Sequence, residues 1–418
     1  MTASSLPLPR RSHLGLELSV PGGDAQAAGT LRVEAVDAGS PAERAGVALG
    51  DGLMELGRVP VSSLAQARRL VARLPVSVPT RLLVQRAGAR LELWATAEQL
   101  PLETMPRGRV ALDHVVWAGH RLRAIWTLPE GPGPYPAIWL LPGAAWLSEE
   151  RALAPGGSLL ELVRGLTSAG FATLRVDRSG LGDSEGPLCV ELDLDAELAA
   201  WRAVRAYFVS HPDVHREQRF LYARSLGGLL APLLADASLF RAVAVWGTSA
   251  RRWDVCMHAA ARRQYGLAGQ TGATLERTLD RLQRLQPLIY EFGLTPEQAF
   301  QKEPDLRPLE SENFRGERVY RRTARFFQQL VRVDVAAAWR ALECPVLALH
   351  GRSDWLSIAE DSAHIAGLAP RGEYRELEGI DHMMHARESV EAAFAEPFTG
   401  TFTPQALDAL VEFYGRQV

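Results

Sequence analysis

The run Phe220-Leu221-Tyr222-Ala223-Arg224-Ser225-Leu226-Gly227-Gly228 leads from an apolar strand pattern through a small-x-Ser-x-Gly turn into a helical one. Such a turn strains the serine backbone and tolerates only small residues two before and two after it, which leaves the hydroxyl standing above a helix N-terminus, open to substrate. A serine hydroxyl is a poor nucleophile at its own pKa; it needs a base within hydrogen-bond reach and a carboxylate that fixes the tautomer of that base. Two later segments offer both. The strand pattern Cys344-Pro345-Val346-Leu347-Ala348-Leu349-His350 ends in Gly351-Arg352-Ser353-Asp354-Trp355, which puts Asp354 in a loop at a strand's C-terminal end. The next strand pattern, residues 374–377, is followed by Glu378-Gly379-Ile380-Asp381-His382, which places His382 likewise. The chemistry these three would perform is acyl transfer. Ser225 attacks a carbonyl, His382 accepts and returns the proton, and Asp354 holds His382.

Each residue has a plainer alternative. Asp354 could cap a turn before a helix starting at Ser357, and His382 could be a solvent-facing loop histidine. His385 is the main rival base, expected within the following helical turn, and His350, inside a strand, is expected to pack or cap. Asp381 is a rival acid, expected to point elsewhere because it adjoins His382 in sequence. The developing oxyanion needs two donors. The backbone N–H of Leu226 supplies one, and the loop Pro142-Gly143-Ala144-Ala145-Trp146 supplies the other, with Ala144 as the donor. An ordinary glycine turn is the alternative there. The glycines of Val176-Asp177-Arg178-Ser179-Gly180-Leu181-Gly182-Asp183-Ser184-Glu185-Gly186 do not make a dinucleotide-binding G-x-G-x-x-G, and the segment is too acidic to cradle pyrophosphate. It is expected to shape the loop beneath the site.

The elements that must carry these residues fall into two grammars. Residues 10–98 show short strands around glycine turns with helices near 41–46 and 62–73, a small α+β unit. The second helix gathers Leu64, Ala67, Leu70, Val71 and Leu74 on one side. Residues 99–108, with Pro101, Pro106 and Gly108, read as a linker. From 109 to 418, strands at 137–141, 172–176, 220–222, 242–246, 346–350 and 374–377 alternate with helices, notably 158–169, 195–209 and 226–234. That alternation predicts a mostly parallel sheet covered on both faces. It breaks at about 248–342, a largely helical, arginine-rich stretch interrupted by Pro287, Pro296, Pro304 and Pro308, which reads as an inserted cap. Its Trp253, Tyr265, Phe292 and Phe314 could line an apolar pocket, although aromatics more often fill cores.

Composition narrows the partners. A chain of 418 residues exceeds what one core usually organises. A net charge of -3 with no dense basic block argues against nucleic acid. Lys302 is the sole lysine, a bias of coding rather than of phosphate recognition. Cys189, Cys256 and Cys344 are sparse and lack metal-ligand spacing, so the expectation is no metal, no cofactor and a reducing compartment. Residues 1–11 lack the apolar core of a signal peptide, and no run of eighteen or more apolar residues could span a bilayer; the expected location is cytoplasmic.

Taken together, Pro142-Gly143, the run from Asp177 to Ser184, Ala223 to Gly227, Gly351 to Asp354 and Asp381-His382 resemble the blocks of the α/β-hydrolase superfamily, nearest its serine aminopeptidase-like and acyl-ester hydrolase members. The resemblance covers residues 110–418. It implies an α/β-hydrolase fold, with an eight-stranded, mostly parallel sheet and a helical cap, and a small-molecule acyl substrate. Departures are Ala223 for the commoner glycine and Pro142 where many members carry histidine; neither removes a catalytic group. The superfamily includes esterases, thioesterases, lipases, peptidases and acyltransferases, so the blocks do not select the substrate. The first unit resembles a bacterial PDZ domain through His13-Leu14-Gly15-Leu16, residues 33–46 with Ala38-Gly39-Ser40-Pro41-Ala42, and Leu49-Gly50-Asp51-Gly52. That resemblance implies that Leu14, Gly15 and Leu16 present backbone N–H groups to a peptide's terminal carboxylate while the peptide pairs with a sheet edge; the alternative is a PDZ fold used for packing or dimer contact. The leading expectation is therefore an acyl-ester hydrolase with a recruiting module. The rivals are a peptidase acting on delivered C-terminal tails and a non-catalytic adaptor scaffold.

Overall fold

The computed structural model describes residues 7–19, 30–144, 147–150, 152 and 157–418. It divides into one unit of residues 7–102 and another of residues 103–418. In the first, β1 (Ser12–His13), β2 (Leu16–Ser19), β3 (Leu31–Val36), α1 (Pro41–Arg44), β4 (Gly52–Leu56), β5 (Val59–Pro60), α2 (Leu64–Ala72), β6 (Pro79–Arg86), β7 (Ala89–Thr96) and β8 (Glu98–Gln99) follow in order. The main sheet runs β2-β3-β4-β6-β7 with β5 beside β4, while β1 pairs with β8. β3 shows why it forms: Leu31 and Val33 are buried while Arg32 and Glu34 face out, the period of a one-sided strand. α2 starts where the Ser63 side chain accepts the Gln66 N–H, and its expected apolar side, Leu64, Ala67, Leu70, Val71 and Leu74, packs on the core of this unit.

The second unit opens with a hairpin, β9 (Arg109–Trp117) and β10 (His120–Leu128), beyond the strands expected from the sequence. Its charges hid it. Arg121 and Arg123 interrupt the apolar pattern of β10, and their partners, Glu185 and Asp183, come from a loop about sixty residues on. Next come β11 (Tyr135–Leu141), α3 (Ser158–Ser168), β12 (Ala172–Val176), α4 (Leu194–Ser210), β13 (Val214–Arg224), α5 (Leu226–Leu234) and β14 (Ala242–Trp246). The insertion holds α6 (Trp253–Leu267), α7 (Gly272–Tyr290), α8 (Pro296–Lys302), a 3-10 turn, β15 (Phe314–Arg315), β16 (Arg318–Val319), β17 (Arg322–Thr323), α9 (Ala324–Leu330) and α10 (Val335–Arg340). It is helical as expected except for the three short strands, which form a small meander. Trp253 and Phe314 sit in the core, Trp253 stacked on Phe327 at 4.8 Å, while Phe292 is exposed beneath Lys302. Core packing, the plainer alternative, therefore describes Trp253 and Phe314.

The chain closes with β18 (Val346–Gly351), α11 (Ala359–Leu368), β19 (Gly372–Leu377), α12 (Val390–Ala395) and α13 (Gln405–Gly415). The eight strands run β19-β18-β14-β13-β11-β12-β10-β9, parallel from β19 to β12 and antiparallel at β10 and β9. This is the α/β-hydrolase fold. Alternation along β11 feeds two cores: Ala137, Trp139 and Leu141 face α4 and α5, while Ile138 and Leu140 face α3 and α13. Near the expected linker, Glu98–Gln99 is strand β8 of the first unit, and the buried Glu103 carboxylate takes two hydrogen bonds from Arg175 in the second. Among the described residues, no helix is long and apolar enough to cross a membrane.

Candidate active site

Ser225 joins β13 to α5 with φ 51° and ψ -126°, a left-handed conformation that costs a non-glycine residue about 1–3 kcal/mol and persists only where the surroundings impose it. Here they do. The Ser225 N–H donates to the Trp246 carbonyl at 2.9 Å, and the Thr248 hydroxyl donates to the Ser225 carbonyl at 2.8 Å. A Cβ on Gly227 would lie 2.6 Å from the Pro142 carbonyl oxygen, which is the physical reason for glycine two residues after the serine. Ala223, on the other side, is fully buried in the core. Leu226 is the first residue of α5, so its N–H is one of the donors that a helix leaves without an intrahelical acceptor.

Asp354 and His382 meet, with Nδ1 of the ring 2.7 Å from Oδ2 of the carboxylate. The carboxylate is completely buried; its Oδ1 accepts the N–H groups of Leu356 and Ser357, and its Oδ2 also accepts the Ser357 hydroxyl at 2.5 Å. Burial alone would raise its pKa, but His382, and after it His350 and Ser357, hold it below the usual aspartate value. The turn role was therefore a fair alternative for Asp354, which fills it with one oxygen, although the helix begins at Ala359 rather than Ser357. Both groups touch the end of β14. The Trp246 indole donates to the His382 carbonyl at 3.0 Å, and a Cβ on Gly247 would lie 3.0 Å from His382 Nδ1 and 3.1 Å from Asp354 Oδ2. Since the Trp246 carbonyl takes the Ser225 N–H, serine, histidine and aspartate all stand around the C-terminal end of this one strand.

The loop after β11, expected to supply the second oxyanion donor, lies on the other side of the serine. A Cβ on Gly143 would sit 3.2 Å from Ser225 Cβ, and Ala144 follows it at the surface; Ala145 and Trp146 lie outside the described residues. Arg178 donates to the carbonyls of Gly143 at 2.5 Å and Pro142 at 3.1 Å. Asp177 accepts from the Ser148 hydroxyl and the Glu149 N–H, so residues 177–178 hold Pro142 and Gly143 on one side and Ser148 and Glu149 on the other. The loop-shaping role expected of this run is met by Arg178 in particular, which no local pattern singles out. Ser357, which holds Asp354, Trp246, which holds His382, and Thr248, which holds Ser225, likewise make contacts that have no signal in the local sequence.

The rivals are accounted for differently. His385, expected in a helical turn, instead forms an isolated bridge with Phe402; the chain cannot coil there because Asp381 gathers the N–H groups of Met383 and His385 into a tight loop. Asp381 Oδ2 accepts Arg387 Nε at 2.8 Å, with His385 Nδ1 at 3.6 Å. His350 is buried in β18, and that burial lowers its pKa. In the first unit, Leu14 is buried, and its carbonyl accepts the Ala42 N–H; Gly15 adopts φ +69°, and a Cβ there would lie 2.3 Å from Ser40 Cβ. Leu16 opens β2, which among the described residues pairs with β3 alone and so ends its sheet.

Residues 155–389 match the family described as serine aminopeptidase, S33, and residues 32–86 match the PDZ domain family. The esterase EstD of Thermotoga maritima is 24% identical over 237 residues, 56% of this chain and 50% of EstD. The chain thus spans about half the length of that curated relative. Among solved structures, Est1E from Butyrivibrio proteoclasticus aligns at 17% identity, covering 73% of this chain and 98% of its own, with a TM-score of 0.47. Proline iminopeptidase of Mycobacterium smegmatis aligns at 15% identity over 73% of this chain and 98% of its own, with a TM-score of 0.46.

Proposed function

The chain belongs to the serine aminopeptidase S33 family, and on that premise we propose that residues 109–418 form a serine hydrolase that cleaves an acyl ester, or a related thioester or amide, through Ser225, His382 and Asp354. Ser225 Oγ attacks the substrate carbonyl as Nε2 of His382 takes its proton; Asp354 fixes the tautomer through Nδ1 and stabilises the imidazolium that forms. The N–H groups of Leu226 and Ala144 receive the oxyanion. His382 then returns the proton to the leaving group, and water releases the acyl group by the same steps in reverse order. The observation that carries the reading is the 2.7 Å contact between His382 and a fully buried carboxylate, at the strand end that also anchors the strained Ser225.

Within this reading an ester is favoured, because the curated relative is an esterase. Peptidase action is the second reading, supported by the family description. An adaptor scaffold would leave both the strained serine turn and the buried aspartate without a purpose. The PDZ unit, residues 10–98, recruits a peptide or protein C-terminus along the open edge of β2, with Leu14, Gly15 and Leu16 at the carboxylate. Three unpaired cysteines support a cytoplasmic location.

A fluorophosphonate tests the proposal. Wild-type protein is labelled, and Ser225→Ala is not; a folded wild type that resists labelling defeats the hydrolase reading. Turnover of short acyl esters against aminoacyl amides then separates the two substrates, and a purely amide profile moves the assignment to a peptidase.

A further inference from the structure

Behind the oxyanion loop lies a chain of three charges. Arg178, which holds the Pro142 and Gly143 carbonyls, donates through Nε to Glu197 Oε1 at 3.0 Å. Glu197 lies on α4, and its Oε2 accepts Arg322 Nη1 at 2.5 Å; Arg322 lies on β17, within the insertion. All three are at least 96% buried. The Trp201 indole donates to Glu197 Oε1 at 3.2 Å, and the guanidinium of Arg178 lies 5.5 Å from that ring. Arg322 rests over Phe326 at 4.2 Å, and its Nε and Nη2 find no hydrogen-bond partner among the described residues.

Two buried cations share one carboxylate, and one cation leaves two nitrogens unmet. Burial alone would push the Glu197 carboxyl up, but Arg178 and Arg322 hold it below its usual value, so it stays charged. Such a cluster is a poor source of stability, since apolar side chains of equal volume commonly do as well. It is good at fixing directions. A guanidinium presents a rigid fork of donors, and a trans peptide points its N–H opposite to its C=O. A hydrogen bond to the Gly143 carbonyl therefore sets the direction of the Ala144 N–H, the donor assigned to the oxyanion.

We infer that Arg178 is a positioning residue for the oxyanion donor, and that Arg322 ties its position to the insertion through Glu197, so that the placement of the cap sets the rate of the acyl-transfer step. The inference rests on the hydrolase reading. When the insertion is seated, Arg322 engages one oxygen of Glu197, Glu197 holds Arg178, and Arg178 holds the peptide between Gly143 and Ala144. When the insertion shifts, Glu197 loses one of its two cations, and Arg178 is freer to turn away from the loop. Substrate that seats the cap would thereby complete its own oxyanion site.

The experiment measures kcat and KM on an ester that the wild type turns over, together with affinity for a boronic acid whose tetrahedral adduct loads the oxyanion donors. Loss of an oxyanion donor costs about 100- to 1,000-fold in kcat, so Arg178→Met is expected near the lower bound of about 100-fold and Arg322→Met at about 10-fold. KM is expected to stay within about two-fold in both, since ground-state binding is untouched, while boronate affinity falls in step with kcat. The double variant is expected to match Arg178→Met, because the two residues act through one chain. A folded Arg322→Met with wild-type kcat and boronate affinity, or one that changes KM alone, overturns the coupling. Should Arg322→Met fail to fold, Glu197→Gln keeps the shape and removes the charge; an unchanged kcat in that variant overturns the coupling as well. Failure of the underlying reading looks different, since the wild type itself would then show neither label nor turnover.

Discussion

In the loop after β18, Asp354 gives one oxygen to backbone N–H groups and the other to Ser357 and His382; in the loop after β19, Asp381 gives one oxygen to backbone N–H groups and the other to Arg387, with the ring of His385 at 3.6 Å. The residue types match, and so does the use of one carboxylate oxygen to tighten a turn. The partners of the second oxygen differ. Arg387 carries a permanent charge, so Asp381 is already neutralised and has little to offer an imidazolium. Among the described residues Asp354 has no arginine partner, and in the proposed mechanism the cation it stabilises is the one His382 acquires when it takes a proton. On the proposed mechanism the two aspartate–histidine neighbours serve two purposes, and the surrounding charge decides which.

The comparison breaks most visibly at the histidines. His382→Ala is expected to lower kcat by on the order of a million-fold, the scale for loss of a proton-transfer partner in such a triad. His385→Ala is expected to leave ester turnover within about three-fold, since the ring acts on the turn alone. Equal losses in the two variants would erase the distinction. At the carboxylates, Asp354→Asn is expected to cost about 10,000-fold in kcat with a well-folded protein, the effect of presenting the wrong tautomer. Asp381→Asn is expected instead to destabilise by about 2 kcal/mol, because the half-buried Arg387 loses its carboxylate and keeps only its bonds to the Glu396 and Thr399 carbonyls; denaturant unfolding measures this, and full activity per folded molecule should remain. An Asp381→Asn variant that is stable but inactive would reverse the assignment.

The smallest effect is in the pH dependence of stability. For Asp354 and Asp381, burial pushes the pKa up but is outweighed, for Asp354 by the charge and hydrogen bond of His382 and for Asp381 by hydrogen bonds from His385 and Arg387, and both end below the usual value of 3.8. A depressed carboxyl contributes stability above the unfolded pKa and loses it as pH falls through the folded one. His350 is lowered from 6.5 by its burial, so it too favours the folded state above its unfolded pKa and opposes it on acidification. All three have the same sign. The melting temperature is expected to fall gently below about pH 6 and steeply below about pH 4, with the steep limb flattened in Asp381→Asn. A melting temperature constant from neutrality to about pH 4 would contradict the assignment of these buried groups.

Legibility in the sequence followed the distance over which each feature is decided. The serine turn, the positions of Asp354 and His382 after their strands, strands 172–176 and 242–246 and helix 226–234 are written in consecutive residues, because a strand that enters a glycine-rich turn needs only local sterics to be recognised. The hairpin of β9 and β10 escaped because its charges are met by a distant loop, and hydrophobic alternation counts a paired arginine as an exposed one. The meander inside the insertion escaped because two-residue strands carry no period at all.

By itself, then, the chain determined which residues could react and that each would stand at the end of a strand, since backbone period and turn sterics are local. Only the tertiary structure decided which aspartate serves which histidine, and that Arg178, Glu197 and Arg322 form one buried chain across 125 residues of sequence between the last two. The reason is electrostatic. What a charge does depends on the partner that meets it and on the water that is excluded, and both are set only once the segments have packed.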